Sequence, residues 1–512
     1  MTDEHLTPAQ RFAERKVAMA DTSRPDAIAK RHTRGGRSAR ENLRDLLDNK
    51  QPLEYGEFAV AAQRTRRSRE ELLRDTPGDG VLTVIGSVNS HLFDAKTSAT
   101  ALIVNDYTVL AGTQGYFHHK KIDRLLAVAE RQNLPVVMFT EGGGGRPGDT
   151  DVLVAMGGLN VSTFYRWAAL SGRVPRIAVN HGFCFAGNAA LFGAADIRIA
   201  TRNSWIGMAG PAMIEGGGLG SYQATDIGPV DAHLRTGVVD ILADDEAHAT
   251  ALAKAVLSYA QGPVTQYTVS DQALLPSLLP DNRRMAFDVR KVLAHVTDQG
   301  SLLELRATFG QSLFTGFARL AGKPIAVIAN DCRHLGGAID NHAARKAADF
   351  YRLAQRWQLP LVSFVDTPGF MVGPDSEAAG APGVMSDLFI AGAHFSQPLA
   401  TIFLRRGYGL GAMAMAGGSF DRPLISASWP QGEFGAMGLE GAVRLGFKQE
   451  LAAVADGPER DALYQQLLNT LYERGQATEA ASYLEVDTVI DPADTRDTIQ
   501  MAFNNRHRSP YC

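Results

Sequence analysis

Apolar and polar positions along this chain follow two periods, one helical and one strand-like, and the same succession of them occurs twice. Over 121–132, "KIDRLLAVAERQ", and again over 344–357, "ARKAADFYRLAQRW", apolar residues recur at helical spacing. Both predicted helices stop just before a Leu-Pro pair, Leu134-Pro135 and Leu359-Pro360, because the residue preceding proline is pushed out of the helical region. A short β-rich run follows in each case, "PVVMFT" and "PLVSFV", and ends at glycines. Next come a helical stretch, a second strand ("RIAVN", "ATIFL"), a Gly/Ala turn opening a small-residue helix, and a third strand ("DIRIAT", "PLISAS") leading to Trp205 or Trp429. Strands alternating with helices predict an α/β fold with crossover connections. Residues 1–75 read instead as helical and charged, with "RTRRSREELLRD" (64–75) as a solvated helix.

The repetition extends to identities. At a separation of 225 positions the chain matches itself at Lys121/Lys346, Ala129/Ala354, Arg131/Arg356, Leu134/Leu359, Pro135/Pro360, Val137/Val362, Phe139/Phe364 and Gly144/Gly369. A second block agrees at 224, through Gly187/Gly411, Ala190/Ala414, Gly193/Gly417, Arg198/Arg422, Ser204/Ser428 and Trp205/Trp429. Such a period is far beyond that of solenoid repeats and means an internal duplication of whole domains. The boundary is expected within 259–276, "YAQGPVTQYTVSDQALLP", where helical pattern gives way to turn residues.

Composition narrows the class. With 45% hydrophobic and 21% charged residues and a formal net charge of -4, the chain is that of a globular protein without a general pull toward nucleic acid or anionic membrane. The first residues lack an apolar signal-peptide core, and no later segment reaches the 18 or so apolar residues a membrane helix needs, so a cytoplasmic protein is expected. Cys184, Cys332 and Cys512 are too scattered for a disulfide framework or a zinc site, and Cys184 reads as a buried small hydrophobe.

Candidate chemistry centres on the Gly/Ala turns, "GFCFAGNAALFG" (182–193) and "RRGYGLGAMAMAGG" (405–418). A strand running straight into a helix through small residues exposes the first helical N–H groups, which have no intrahelical acceptor. Such amides form an oxyanion hole, worth on the order of 3 kcal/mol per donor at a transition state. "GLGAMA" also fits a dinucleotide fingerprint, but Asp421 stands too early for the ribose-binding acid and the twin turn has no GxG. A nucleophile elbow, a zinc-protease helix and a phosphate loop are missing from the sequence. "FHHKK" (117–121) reads as a solvated or phosphate-facing basic patch.

The paired halves, "EGGGGR" (141–146), "GPAMIEGGG" (210–218), "DTPGFMVG" (366–373) and the two Gly/Ala turns together resemble the carboxyltransferase, or β, subunit of biotin-dependent acyl-CoA carboxylases. The resemblance runs over nearly the whole chain from about residue 25. It implies two tandem crotonase-like domains, an N-terminal one (76–262) on the acyl-CoA side and a C-terminal one (275–512) on the biotin side, with residues 1–75 as a helical extension packed on the first. It implies a reaction in which carboxybiotin yields CO2, biotin N1 removes the thioester's α-proton, and the resulting enolate attacks CO2. Two oxyanion holes and no catalytic side chain are what that chemistry leads one to expect, and no metal.

By the same resemblance, the thioester hole falls at Ala186 and Gly187 and the biotin hole at Leu410 and Gly411. Gly143, Gly144, Arg146 and Gly210 match positions bordering coenzyme A, and Thr367, Pro368, Gly369 and Phe370 match the loop on the biotin side. Met413 stands where short-chain enzymes of the family often carry Asp, and suits a longer or bulkier acyl group. The implied partners are a biotin carboxylase and a biotin carboxyl carrier protein, together forming the α subunit, and other copies of this chain in a hexamer. Two competing expectations are a decarboxylase running the transfer in reverse and a non-catalytic scaffold of a carboxylase complex; retention of both small-residue turns argues against the scaffold.

Overall fold

The structure is a computed structural model that describes residues 6–48, 52–151 and 160–504. It divides into two compact units, 1–261 and 262–512.

In the first unit the apolar runs become a seven-stranded sheet: β1 (Leu53–Glu54), β2 (Val81–Ser87), β3 (Ala99–Asn105), β4 (Val136–Phe139), β5 (Arg176–Phe185), β6 (Ile197–Gly207) and β7 (Ile241–Ala243), in that spatial order. The first three are antiparallel neighbours, and β3 to β7 run parallel. Parallel neighbours require crossovers. The longest of these is the helix Tyr116–Gln132, whose Ile122, Leu125, Leu126 and Ala129 are buried in the core with Ile103, Val136, Met138 and Trp167. Asn133, in the left-handed conformation, ends that helix ahead of Leu134-Pro135.

The second unit repeats the design with β8 (Leu303–Leu305), β9 (Leu313–Leu320), β10 (Lys323–Asn330), β11 (Leu361–Thr367), β12 (Leu399–Tyr408), β13 (Ile425–Ser428), β14 (Glu433–Gly435) and β15 (Thr488–Val489). Its order is β15-β13-β12-β11-β10-β9-β8, with β14 also on β12. Antiparallel pairs again come first (β8/β9 and β9/β10), and parallel ones follow. The helix Asn341–Arg356 takes the place of Tyr116–Gln132, and Gln358 repeats the positive φ of Asn133.

Four sequence readings change. The charged stretch 64–75 is helical only over Arg69–Asp75, because Ser68 caps it and accepts from the Glu71 N–H. "DIRIAT" continues as one strand through Trp205, whereas "PLISAS" breaks at Trp429, whose buried indole donates to Thr495 Oγ1 at 2.8 Å. The "FHHKK" segment is only partly solvated: Lys120 is exposed, but His118 is fully buried and Lys121 sends its ammonium to the carbonyls of Gly78 and Val81. Finally, the second block of identities is displaced by one at the turn. Arg176 sits beside Val136 and Leu399 beside Leu361, a separation of 223 between β5 and β12, and the positive φ of Ala186 (51°) recurs at Gly409 (58°). Gly187 therefore occupies the place of Leu410, and Asn188 that of Gly411.

Candidate active site

In the first unit, β5 delivers the chain to Ala186, which reverses it into the helix Gly187–Gly193 with φ 51° and ψ -118°. The Ala186 N–H donates to Gly207 O at 2.9 Å and so is committed to the sheet. Of the two amides read as thioester donors, Gly187's is the one left open, as the first N–H of its helix. The glycine loop after β4 lies against this turn: Gly143 N–H donates to Ala111 O (3.0 Å) and Gly144 N–H to Asn188 Oδ1 (3.0 Å). A Cβ on Gly144 would come within 2.9 Å of the Ala186 Cβ, so glycine is required there.

Arg146 does not project as a free cation. Its guanidinium is buried, ion-paired with Asp79 and Asp149, and donates to Thr113 O at 2.8 Å. It ties the glycine loop to the turn before β2. Gly210 caps the helix Pro211–Gly216 and packs beside the Phe185 ring.

In the second unit, β12 ends at Tyr408 and the helix Gly409–Met415 begins. Leu410 is 61% exposed and Gly411 is buried. Any Cβ on Gly411 would lie 2.7 Å from Gly369 Cα, so the helix rests backbone to backbone on the 366–373 loop. Thr367 Oγ1 accepts the Gly369 N–H (3.1 Å) and donates to Gly337 O (2.8 Å), while the Gly369 carbonyl accepts from Ile339 N–H (3.0 Å). The Phe370 ring meets that of Phe389, with centroids 6.2 Å apart. Pro368 lines a cavity of about 310 Å³ with Arg283, Arg406, Tyr408 and Tyr472. Met413 is 36% exposed on the helix.

Buried charge underlies each turn at equivalent places, Glu141 and Asp366. Glu141 accepts two bonds from Arg31 (2.8 and 2.6 Å), yet burial pushes it up to about 7, helped by the neighbouring charges of Glu246 and Asp106. Asp366 is as deeply buried, but Arg406 (2.7 Å) and Arg405 (2.8 Å) outweigh that burial and hold its carboxyl below the usual range. Lys121 and Lys346, one of the identity pairs, are buried and bonded to strand-end carbonyls, with burial lowering them to about 8 and about 7. Burial pushes the Cys184 thiol up to about 12, which suits a packing role; Cys332 is also buried, and Cys512 lies outside the described residues.

Sequence reading missed Gln114, whose side chain lies against Gly187, and Asn188, whose Oδ1 accepts the Gly144 N–H. The one available signal was that Asn188 follows the turn glycine directly. Among the described residues no group of acidic, histidine and cysteine side chains could hold a metal ion, and no helix is long and apolar enough to cross a membrane.

A sequence model of the carboxyl transferase domain matches residues 30–511. The methylmalonyl-CoA carboxyltransferase 12S subunit of Propionibacterium freudenreichii subsp. shermanii is 30% identical over 96% of this chain and 93% of its own. Among solved structures, a single-chain, multi-domain long-chain acyl-CoA carboxylase superposes with a TM-score of 0.92 and 48% identity, over 98% of this chain but 49% of that one. The present chain thus spans about half the length of that enzyme. The transcarboxylase 12S hexamer crystal structure, with methylmalonyl-CoA bound, gives a TM-score of 0.85 at 28% identity over 100% of this chain and 98% of its own. The two repeated sheets are accordingly the tandem crotonase-like fold. A match of this extent, on a chain whose halves each end a parallel strand in a small-residue turn, places the protein in the carboxyl transferase domain family, as a carboxyltransferase of the acyl-CoA carboxylase type.

Proposed function

We propose that the chain moves a carboxyl group from carboxybiotin to the α carbon of a long-chain acyl-CoA. The observation that carries the choice of substrate is the 48% identity to the long-chain enzyme, against 30% to the methylmalonyl-CoA enzyme. Exposed, apolar Met413 agrees with an apolar acyl group.

The first-unit turn receives the thioester. Gly187 N–H points its open donor at the carbonyl oxygen, which gains negative charge as the α-proton leaves; a donor placed there stabilises the enolate more than the thioester, and so lowers the barrier. Gly143, Gly144 and Gly210 allow the ligand backbone close approach along the loop and the Pro211–Gly216 helix. The residues of the second unit fit the ureido group of biotin on one observation: the Leu410 and Gly411 amides start a helix without intrahelical acceptors, at a turn where Leu410 is exposed. When bound, biotin supplies the carboxyl group and the base for the α-proton. The chain's own part is to hold two oxygens with backbone donors, while Thr367, Pro368, Gly369 and Phe370 shape the biotin-side loop. A biotin carboxylase and a biotin carboxyl carrier, as partner subunit or domain, load the biotin, and the protein assembles as a hexamer like the 12S enzyme.

The test is to mix the protein with carrier carboxylated from labelled bicarbonate and offer acetyl-, propionyl- and palmitoyl-CoA separately. Acid-stable label is expected with palmitoyl-CoA in preference to the others. Transfer to propionyl-CoA alone would overturn the long-chain assignment, and transfer to none, with a loaded and bound carrier, would overturn carboxyl transfer itself.

A further inference from the structure

Gln114 is clipped to the glycine loop by its backbone, its N–H donating to Gly144 O (2.7 Å) and its carbonyl accepting from Arg146 N–H (2.9 Å). Its side chain reaches across to the start of the Gly187–Gly193 helix. There Gln114 Oε1 lies only 2.3 Å from where a Cβ on Gly187 would stand, beside the Phe164 ring. The residue is 4% exposed, and its Nε2 has no hydrogen-bond partner among the described residues. A buried donor left without a partner destabilises the fold, so an apolar side chain of the same size would suit the resting protein better. The duplicate half makes that substitution: Ile339 holds the equivalent position, paired with Phe370 as Gln114 is paired with Gly145, and is fully buried.

We infer that Gln114 is a side-chain donor of the acyl-CoA half, giving an Nε2–H bond to the thioester oxygen next to the Gly187 N–H. A half-turn about the terminal torsion of the carboxamide exchanges Oε1 and Nε2 at the same two places, which brings the donor to the Gly187 side without moving the rest of the residue. The oxygen then has two donors, one from the helix and one from the side chain, and both bonds strengthen as it becomes an enolate. The inference rests on the reading that the Gly187 turn takes the thioester.

The test compares Gln114→Leu, Gln114→Ile and Gln114→Glu in the full chain with carboxylated carrier. Binding of a CoA-linked nitronate, an anionic mimic of the enolate, is measured beside binding of the acyl-CoA itself. Leu and Ile are expected to lower kcat about 10- to 100-fold and to weaken the nitronate by a similar factor, while acyl-CoA affinity changes less than about threefold. Glu, isosteric but anionic, is expected to be the worst of the three with the nitronate. Unchanged kcat and nitronate affinity in Leu and Ile variants with wild-type melting temperatures would overturn the inference. Gly187→Pro separates the two readings: if it binds the nitronate as well as wild type, the thioester site is wrongly placed, whereas loss in Gly187→Pro without loss in Gln114→Leu defeats the Gln114 role alone.

Discussion

The two halves solve one problem, a glycine loop packed against the start of a short helix, with different atoms. In the first, Asn188 reaches from the helix to accept the Gly144 N–H, and Gln114 fills the space beside Gly187. In the second, Gly411 replaces Asn188 and touches Gly369 directly, and the Gly369 N–H is accepted within its own loop by Thr367. Even the reversal differs, Ala186 against Gly409 at the same positive φ. A side chain spans from helix to loop in the first half; direct backbone contact joins them in the second. The lesson is that the first turn has more freedom to adjust than the second, since a side chain can swing aside and a backbone cannot.

The charged floors of the two turns should separate most. Asp366 holds two arginines, so Asp366→Asn leaves both under-paired and is expected to cost about 3–5 kcal/mol of stability at pH 7. Glu141→Gln is expected to cost less, because burial already brings Glu141 to about 7. The pH signatures run in opposite senses. Asp366, lowered in the fold, stabilises above the unfolded carboxylate pKa and loses that contribution as pH falls through its folded value. Glu141, raised in the fold, favours the folded state below about 4.5 and loses that contribution as pH rises to about 7. Denaturant titrations of both variants and the unaltered protein between about pH 2 and 8 check this, and parallel curves would break the contrast.

Next in size, Gly411→Ala should reduce carboxyl transfer about 100-fold or more, because its Cβ meets the backbone of Gly369 and Phe370. Gly187→Ala meets only Gln114 Oε1 and the Phe164 ring edge, and about a 10-fold loss is expected. Adding Gln114→Ala to Gly187→Ala should not deepen that loss by the full factor of each change. Equal single-variant losses in the labelled-carrier assay would show that both turns are equally rigid.

A smaller effect sharpens the same point. Ala186→Gly removes a residue with a side chain from a sparsely populated backbone region and is expected to stabilise the protein by about 1 kcal/mol, read as a higher denaturation midpoint. The last contrast is with a feature the two halves share. Lys346, lowered to about 7 by burial, binds fewer protons folded than unfolded above that pH, so stability should rise from pH 7 toward 9. Lys346→Met is expected to flatten part of that rise, leaving the part due to Lys121.

Much of this was legible before any coordinates. The duplication, the alternation of helix and strand, the helix ends at Leu-Pro and the two small-residue turns all follow from local periodicity and from proline's fixed geometry. The pairing of the turns was not: identities counted along the chain put Gly187 with Gly411, whereas strand register and the positive φ of Ala186 and Gly409 put it with Leu410. Nor was the engagement of the Ala186 amide, since its acceptor, Gly207, is brought there only by pairing of β5 with β6.

The charges were misread for a related reason. A lysine on a polar stretch reads as solvated, yet Lys121 points at the carbonyls of Gly78 and Val81, and no local pattern pairs Arg146 with Asp79. These partners lie 40 or more positions away in the chain. Local pattern thus determined which segments form helices, strands and turns, because those preferences depend on neighbours a few residues apart. Only the tertiary structure decided which amides stay open, which charges are buried and which side chains, Gln114 and Asn188 above all, stand at the turn, because each depends on atoms that folding alone brings within hydrogen-bond reach.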